Sequence, residues 1–173
     1  MGRKELIKII AETYFKYLQS LDFNNEYFMA GAREGKRKFL ANLHIYLINM
    51  TQPRGWKDRR YSTDYITINA LEILRNKSCA GLVYEHIVPK TKYIQEVCEH
   101  RAREKTLTIE FIITQLDRYL WTATITEKEN ERLNNFAMPD DWDLKNIMAR
   151  YEEAGIELVI HNKDYMLKKG VIL

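Results

Sequence analysis

The run from Gly81 to Lys90 constrains this chain more than any other segment. Val83, Tyr84, Ile87 and Val88 favour extended backbone, and Pro89 restricts the residue before it and cannot donate to a sheet ladder, so a strand has to end here in a turn. A carboxylate, Glu85, and an imidazole, His86, are thereby set side by side at a strand end. They are the first candidates for chemistry.

A second strand is predicted over Leu120–Thr126, whose threonines and Ile125 suit a pleated surface. Thr126 and Glu129 have the spacing of a capping box, so strand passes directly into helix there. The two strands can pair as a ribbon with that helix packed across it. This would bring Glu85, His86 and a polar residue of the first helical turns, Asn130 or Asn134 one turn later, toward one pocket.

Helical periodicity is predicted for Lys4–Leu21, through Leu6, Ile10, Tyr14 and Tyr17, and for Glu34–Asn49, through Phe39, Leu43 and Leu47. Arg33, Lys36, Arg37 and Lys38 crowd the expected start of the second helix, where positive charge opposes the helix dipole. Ser62 or Thr63 is expected to cap a helix running toward Leu74, and further helices are expected from Thr91 to about Arg103 and from Ile109 to Leu116. Ile156–Ile160 reads as a last strand or a short buried helix. The chain is thus expected to be α+β, mainly helical, and a single domain, since 173 residues suffice for one core.

The 27 basic and 24 acidic residues leave a formal charge of +3, which permits nucleic-acid binding without establishing it. The local pattern says more. Arg54, Lys57, Arg59 and Arg60 surround Trp56 and precede Tyr61, and guanidinium groups can meet phosphates while aromatic faces stack on bases. The same loop has a plainer reading, in which Trp56 anchors against the core and the charges stay solvated. The first residues lack the long uncharged core of a secretory peptide, and acidic residues recur too often for a membrane span, so a soluble intracellular protein without membrane contact is expected. Cys79 and Cys98 make no disulfide framework and no zinc pattern, and both are expected to be reduced.

At the segments Tyr84–Lys90 and Trp121–Leu133 the chain resembles the HNH, or ββα-metal, endonuclease family. The resemblance covers about residues 80–135 and implies a helical insertion from about Thr91 to Leu116. It divides the chain into a helical portion (1–76), a short antiparallel ribbon–helix core (80–135) and a supporting portion (136–173). It further implies that Glu85 and Asn130 hold one divalent metal, Mg²⁺ or Mn²⁺, that His86 is the general base, and that Asn134 is a supporting residue or the alternative ligand. Lys90, Arg132 and the basic loop of residues 54–60 would position the backbone of a nucleic acid, with DNA the expected partner and RNA not separated from it. A homodimer would account for paired cleavage. A noncatalytic regulator that binds nucleic acid or protein on the same scaffold is the alternative.

The other histidines carry weaker signals. His44 is expected at a packed helix edge, His100 on a charged face, and His161 in a surface turn or as a distant catalytic residue. No glycine-rich phosphate loop or dinucleotide fingerprint points to a small-molecule enzyme.

Overall fold

Local capping decides where several elements begin. A computed structural model of the chain describes residues 1–166, so the end of the C-terminal portion expected over 136–173 lies outside the described residues. Among the described residues the helices are α1 (Arg3–Gln19), α2 (Glu26–Thr51), α3 (Ile68–Arg75), α4 (Glu96–Arg103), α5 (Ile109–Tyr119), α6 (Glu127–Asn130) and α7 (Ala149–Glu153). The strands are β1 (Tyr65–Ile66), β2 (Leu82–His86), β3 (Thr122–Thr126) and β4 (Val159–Ile160). The protein is α+β and mainly helical, with one mixed sheet.

Helix α2 starts eight residues before the expected Glu34. The Asn25 side chain accepts the Phe28 N–H at 3.0 Å and Glu26 stands in the first turn, so the N-terminus is capped and its dipole matched. Arg33, Lys36, Arg37 and Lys38 therefore lie inside the helix. Glu34 pairs with Arg37 at 3.1 Å and Lys38 at 3.2 Å, and Lys36 pairs with the buried Glu99. Thr67, rather than Ser62 or Thr63, caps α3 by accepting the Ala70 N–H at 3.3 Å, because the chain first spends two residues in β1.

The chain divides into two compact units, Met1–Met50 with Pro89–Leu120, and Thr51–Val88 with the segment from Trp121 onward. The helical segment expected as an insertion in 80–135 thus groups with α1 and α2, while residues 51–76 group with the sheet. In the first unit α1 buries Ile7, Ile10, Tyr14 and Leu18, and α5 buries Ile112 and Leu116. Arg3 reaches the end of α5, donating to the carbonyls of Leu116, Asp117 and Leu120 at 3.4, 3.0 and 3.2 Å. A cation is thereby supplied where a helix leaves carbonyls unsatisfied.

In the second unit the strand order is β2-β3-β1-β4. The expected ribbon is present: β2 and β3 are antiparallel, with Leu82 opposite Thr126 and His86 opposite Thr122. Parallel to β3 runs β1, and β4 pairs antiparallel to β1. The side-chain alternation of a strand splits this sheet into two faces. On one, Ala123 and Ile125 pack with Ile87, Leu133, Tyr151 and Ile156; on the other, Leu82 and Ile66 pack with Tyr61, Ala70 and Leu74. No helix among the described residues is long and apolar enough to cross a membrane.

Candidate functional site

The joint between β3 and α6 is rigid because one carboxylate serves four donors. Glu129 Oε2 accepts the Thr126 N–H at 2.8 Å, the Thr126 hydroxyl at 2.9 Å and the Thr67 hydroxyl at 2.8 Å, and Oε1 accepts from the Asn69 amide at 3.0 Å. Thr126 in return accepts the Glu129 N–H, which completes the capping box. Burial works to raise the Glu129 carboxyl, but the Thr126 N–H and the Thr67, Asn69 and Thr126 side chains outweigh it and hold it below the ordinary carboxylate range. At the far side of the joint Gly81 takes a left-handed φ of 67° and its carbonyl accepts the Glu127 N–H at 2.9 Å, tying α6 to the start of β2. Helix α6 lies against both strands, and after it Leu133 enters the core beside Ile87. The chain therefore runs from the Leu82 end of the ribbon back toward the His86 end.

Glu85 and His86 do not enter one pocket; the structure turns them to opposite faces of the sheet. Adjacent residues of a strand must alternate, and only one of the two can share the face of Ala123 and Ile125. His86 lies on the Tyr84 face, its ring edge-on to Tyr84 with centroids 5.5 Å apart. The Arg59 guanidinium stands over the same tyrosine ring, 5.4 Å from its centroid. Opposite His86, Thr122 donates both its N–H (2.9 Å) and its hydroxyl (2.8 Å) to Asp64 Oδ2. Burial, followed by the Asp64 charge, pushes the Tyr84 phenol well above its usual range, so it stays neutral.

Glu85 lies on the other face, where its Oε1 accepts from Arg150 Nη2 at 3.0 Å. Arg150 is only 1% exposed. Its Nη2 also donates to the carbonyls of His86 at 2.7 Å and Ile87 at 3.1 Å, and its Nη1 to the carbonyl of Asn134 at 2.7 Å. One guanidinium thus joins the end of β2 to the turn that follows α6.

Of the two asparagines, Asn130 ends α6 and carries a buried Oδ1 that has no hydrogen-bond partner among the described residues. A buried acceptor without a donor is costly, and an oxygen of this kind suits a hard cation. Asn134 was expected one turn later on the same face, but α6 stops at Asn130. The Asn134 side chain is exposed and accepts the N–H groups of Phe136 at 3.0 Å and Ala137 at 3.2 Å, shaping the loop. Glu85 and Asn130 each offer oxygen, the donor type a hard cation such as Mg²⁺ or Mn²⁺ takes, and Glu85 Oε1 is already paired with Arg150. Among the described residues no three His, Cys, Asp or Glu side chains form a metal-holding group.

The basic loop divides into anchored and exposed side chains. Arg60 pairs with Asp58, Nε to Oδ1 and Nη2 to Oδ2, both at 2.8 Å, and its Nη1 donates to the carbonyls of Cys79 at 2.7 Å and Leu82 at 3.1 Å. It fastens the loop to the start of β2. Trp56 is anchored edge-on between Tyr61 (4.8 Å) and Tyr165 (5.8 Å), with the Lys77 ammonium 5.2 Å from its ring centroid. Arg54, Lys57 and Arg59 are exposed, as is Arg132, which lines an open cleft of about 640 Å³ with Lys128, Asn69 and Gly81. Lys90 donates to Gln95 at 3.2 Å within the first unit.

Sequence reasoning missed Arg150, which only its burial reveals, and misplaced His161, which lies 5% exposed. His161 belongs to a directional chain. The Thr124 hydroxyl donates to the Arg60 carbonyl (2.7 Å), so Thr63 must donate to Thr124 (2.9 Å) and accept from His161 Nδ1 (3.0 Å). Nε2 then accepts from Tyr165 (2.8 Å). The chain matches no known protein family, no curated protein and no solved structure.

Proposed function

We propose that the protein is a metal-dependent endonuclease of the HNH type that hydrolyses DNA phosphodiester bonds. The observation that carries this reading is the buried Oδ1 of Asn130, without a partner among the described residues, on the short helix that crosses the β2–β3 ribbon. Glu85 and Asn130 would supply oxygen ligands, and a bound Mg²⁺ or Mn²⁺ would supply Lewis-acid stabilisation of charge on the scissile phosphate and the leaving oxygen. His86 accepts a proton from the attacking water, whose oxygen bonds to phosphorus as the bond to the leaving sugar oxygen breaks. Among the described residues β2 is an edge strand, so a nucleic-acid backbone crossing its end would have to reach Glu85 on one face and His86 on the other. Arg59, joined to His86 through the Tyr84 ring, neutralises phosphate charge, and Arg132 and Lys128 extend the contact without reading bases. A homodimer would present two such centres to the two strands of a duplex.

The pairing of Glu85 with buried Arg150 favours a second reading, a noncatalytic regulator that uses the same scaffold to bind nucleic acid or protein. The two separate on one experiment. Wild type and His86→Ala are incubated with mixed DNA and RNA substrates in Mg²⁺, in Mn²⁺ and in chelator, with folding and nucleic-acid affinity measured in parallel. Metal-dependent cutting that disappears in a folded, DNA-binding His86→Ala supports the endonuclease. Binding without cutting by wild type supports the regulator.

A further inference from the structure

We infer that Arg150 is the positioning residue of this centre, an inference that rests on the endonuclease reading. One guanidinium reaches acceptors from two segments: the Glu85 carboxylate and the His86 and Ile87 carbonyls at the end of β2, and the Asn134 carbonyl beyond α6. The segments that carry the two ligands and the base are therefore held in one frame by a side chain that touches none of the reacting atoms. Arginine is the residue that can do this, because its planar fork offers five donors in fixed directions.

Three of the four acceptors are backbone carbonyls, and the fourth, the Glu85 carboxylate, is the one a charge serves best. Taking a guanidinium from water to 1% exposure is expensive, and well-packed apolar residues in place of a buried ion pair are often as stable or more so. What the charge achieves is orientation. It fixes the Glu85 carboxylate through Oε1 and the His86 main chain at the same time, as outer partners of metal ligands do in other centres.

The test uses the full chain with Arg150→Lys and Arg150→Met. Lysine keeps the charge but cannot span the same four acceptors; methionine keeps apolar bulk alone. Mn²⁺ affinity is read from the paramagnetic resonance of the free ion, DNA affinity in Ca²⁺, turnover in Mn²⁺, and unfolding in chelator. In Arg150→Lys, Mn²⁺ affinity and kcat are expected to fall by about 10–100-fold, the range for outer partners of metal ligands, while DNA affinity is unchanged. Arg150→Met is expected to lose turnover and bind Mn²⁺ no better than the lysine variant. An Arg150→Lys protein that unfolds more easily yet keeps wild-type Mn²⁺ affinity and kcat overturns the inference and leaves the endonuclease standing. A wild type that neither binds Mn²⁺ nor cuts DNA overturns both.

Discussion

Acidification should weaken the second unit through His161 before most carboxylates titrate. Burial, with the Lys163 charge adding to it, lowers the His161 pKa from 6.5 to about 4, against a smaller opposing contribution from a hydrogen bond to Thr63. The groups around the ring are Thr63, Tyr165 and Lys163, with the backbone of Asp64 accepting the His161 N–H at 2.9 Å. Between those two pKa values the unfolded chain binds a proton that the folded chain refuses, so stability rises with pH. The full contribution is present above about pH 6.5 and is lost as pH falls to about 4. A difference of 6.5 − 4 = 2.5 pK units corresponds to about 3 kcal/mol at 1.36 kcal/mol each. All three tryptophans, Trp56, Trp121 and Trp142, belong to the second unit, so their fluorescence in urea reports its unfolding. Comparing wild type with His161→Gln cancels Glu129, Asp58 and other groups that titrate in both. The wild-type stability should fall by about 3 kcal/mol more than that of the variant between about pH 7 and pH 4. Parallel curves would refute the reasoning.

Asn130→Asp puts a carboxylate where an oxygen already lacks a partner among the described residues, so its thermal unfolding in chelator should occur several degrees below wild type and recover when Mn²⁺ is added; a variant indifferent to Mn²⁺ argues against a ligand there. Arg59→Ala should weaken DNA binding and flatten its salt dependence with little change in stability, since Arg59 is exposed. Arg60→Ala should do the reverse, costing about 2–4 kcal/mol because it removes the cation paired with Asp58 and the donor to two carbonyls. Urea unfolding and salt-dependent DNA titrations on both proteins would expose a reversal of these roles.

How much could be read in advance depended on the range of the interaction. The ribbon strands, α1, α5 and the capping box were legible, because each is set by residues within a few positions of one another. The start of α2 is set by the side chain of Asn25, which caps it, and not by the basic cluster farther along. Strands β1 and β4 have two residues each and exist through pairing alone, too short to show a period. At the site, adjacency suggested that Glu85 and His86 act from one side, whereas the strand's alternation separates them. Trp56 packs edge-on against Tyr61 and Tyr165, the latter too far away in sequence for any spacing to show the contact.

By itself the sequence determined the mixed character of the fold, the strand that ends before Pro89 and the turn from Thr126 into α6, because dihedral preferences and caps act within a few residues. Only the tertiary structure decided that the segment between the ribbon strands joins α1 and α2, and that His161 is buried in a hydroxyl chain. It also decided that Arg150 crosses 64 residues of sequence to the carbonyl of His86. Such choices turn on which buried donors meet which acceptors once the core closes, and a hydrogen bond between distant residues leaves no period or spacing in the sequence.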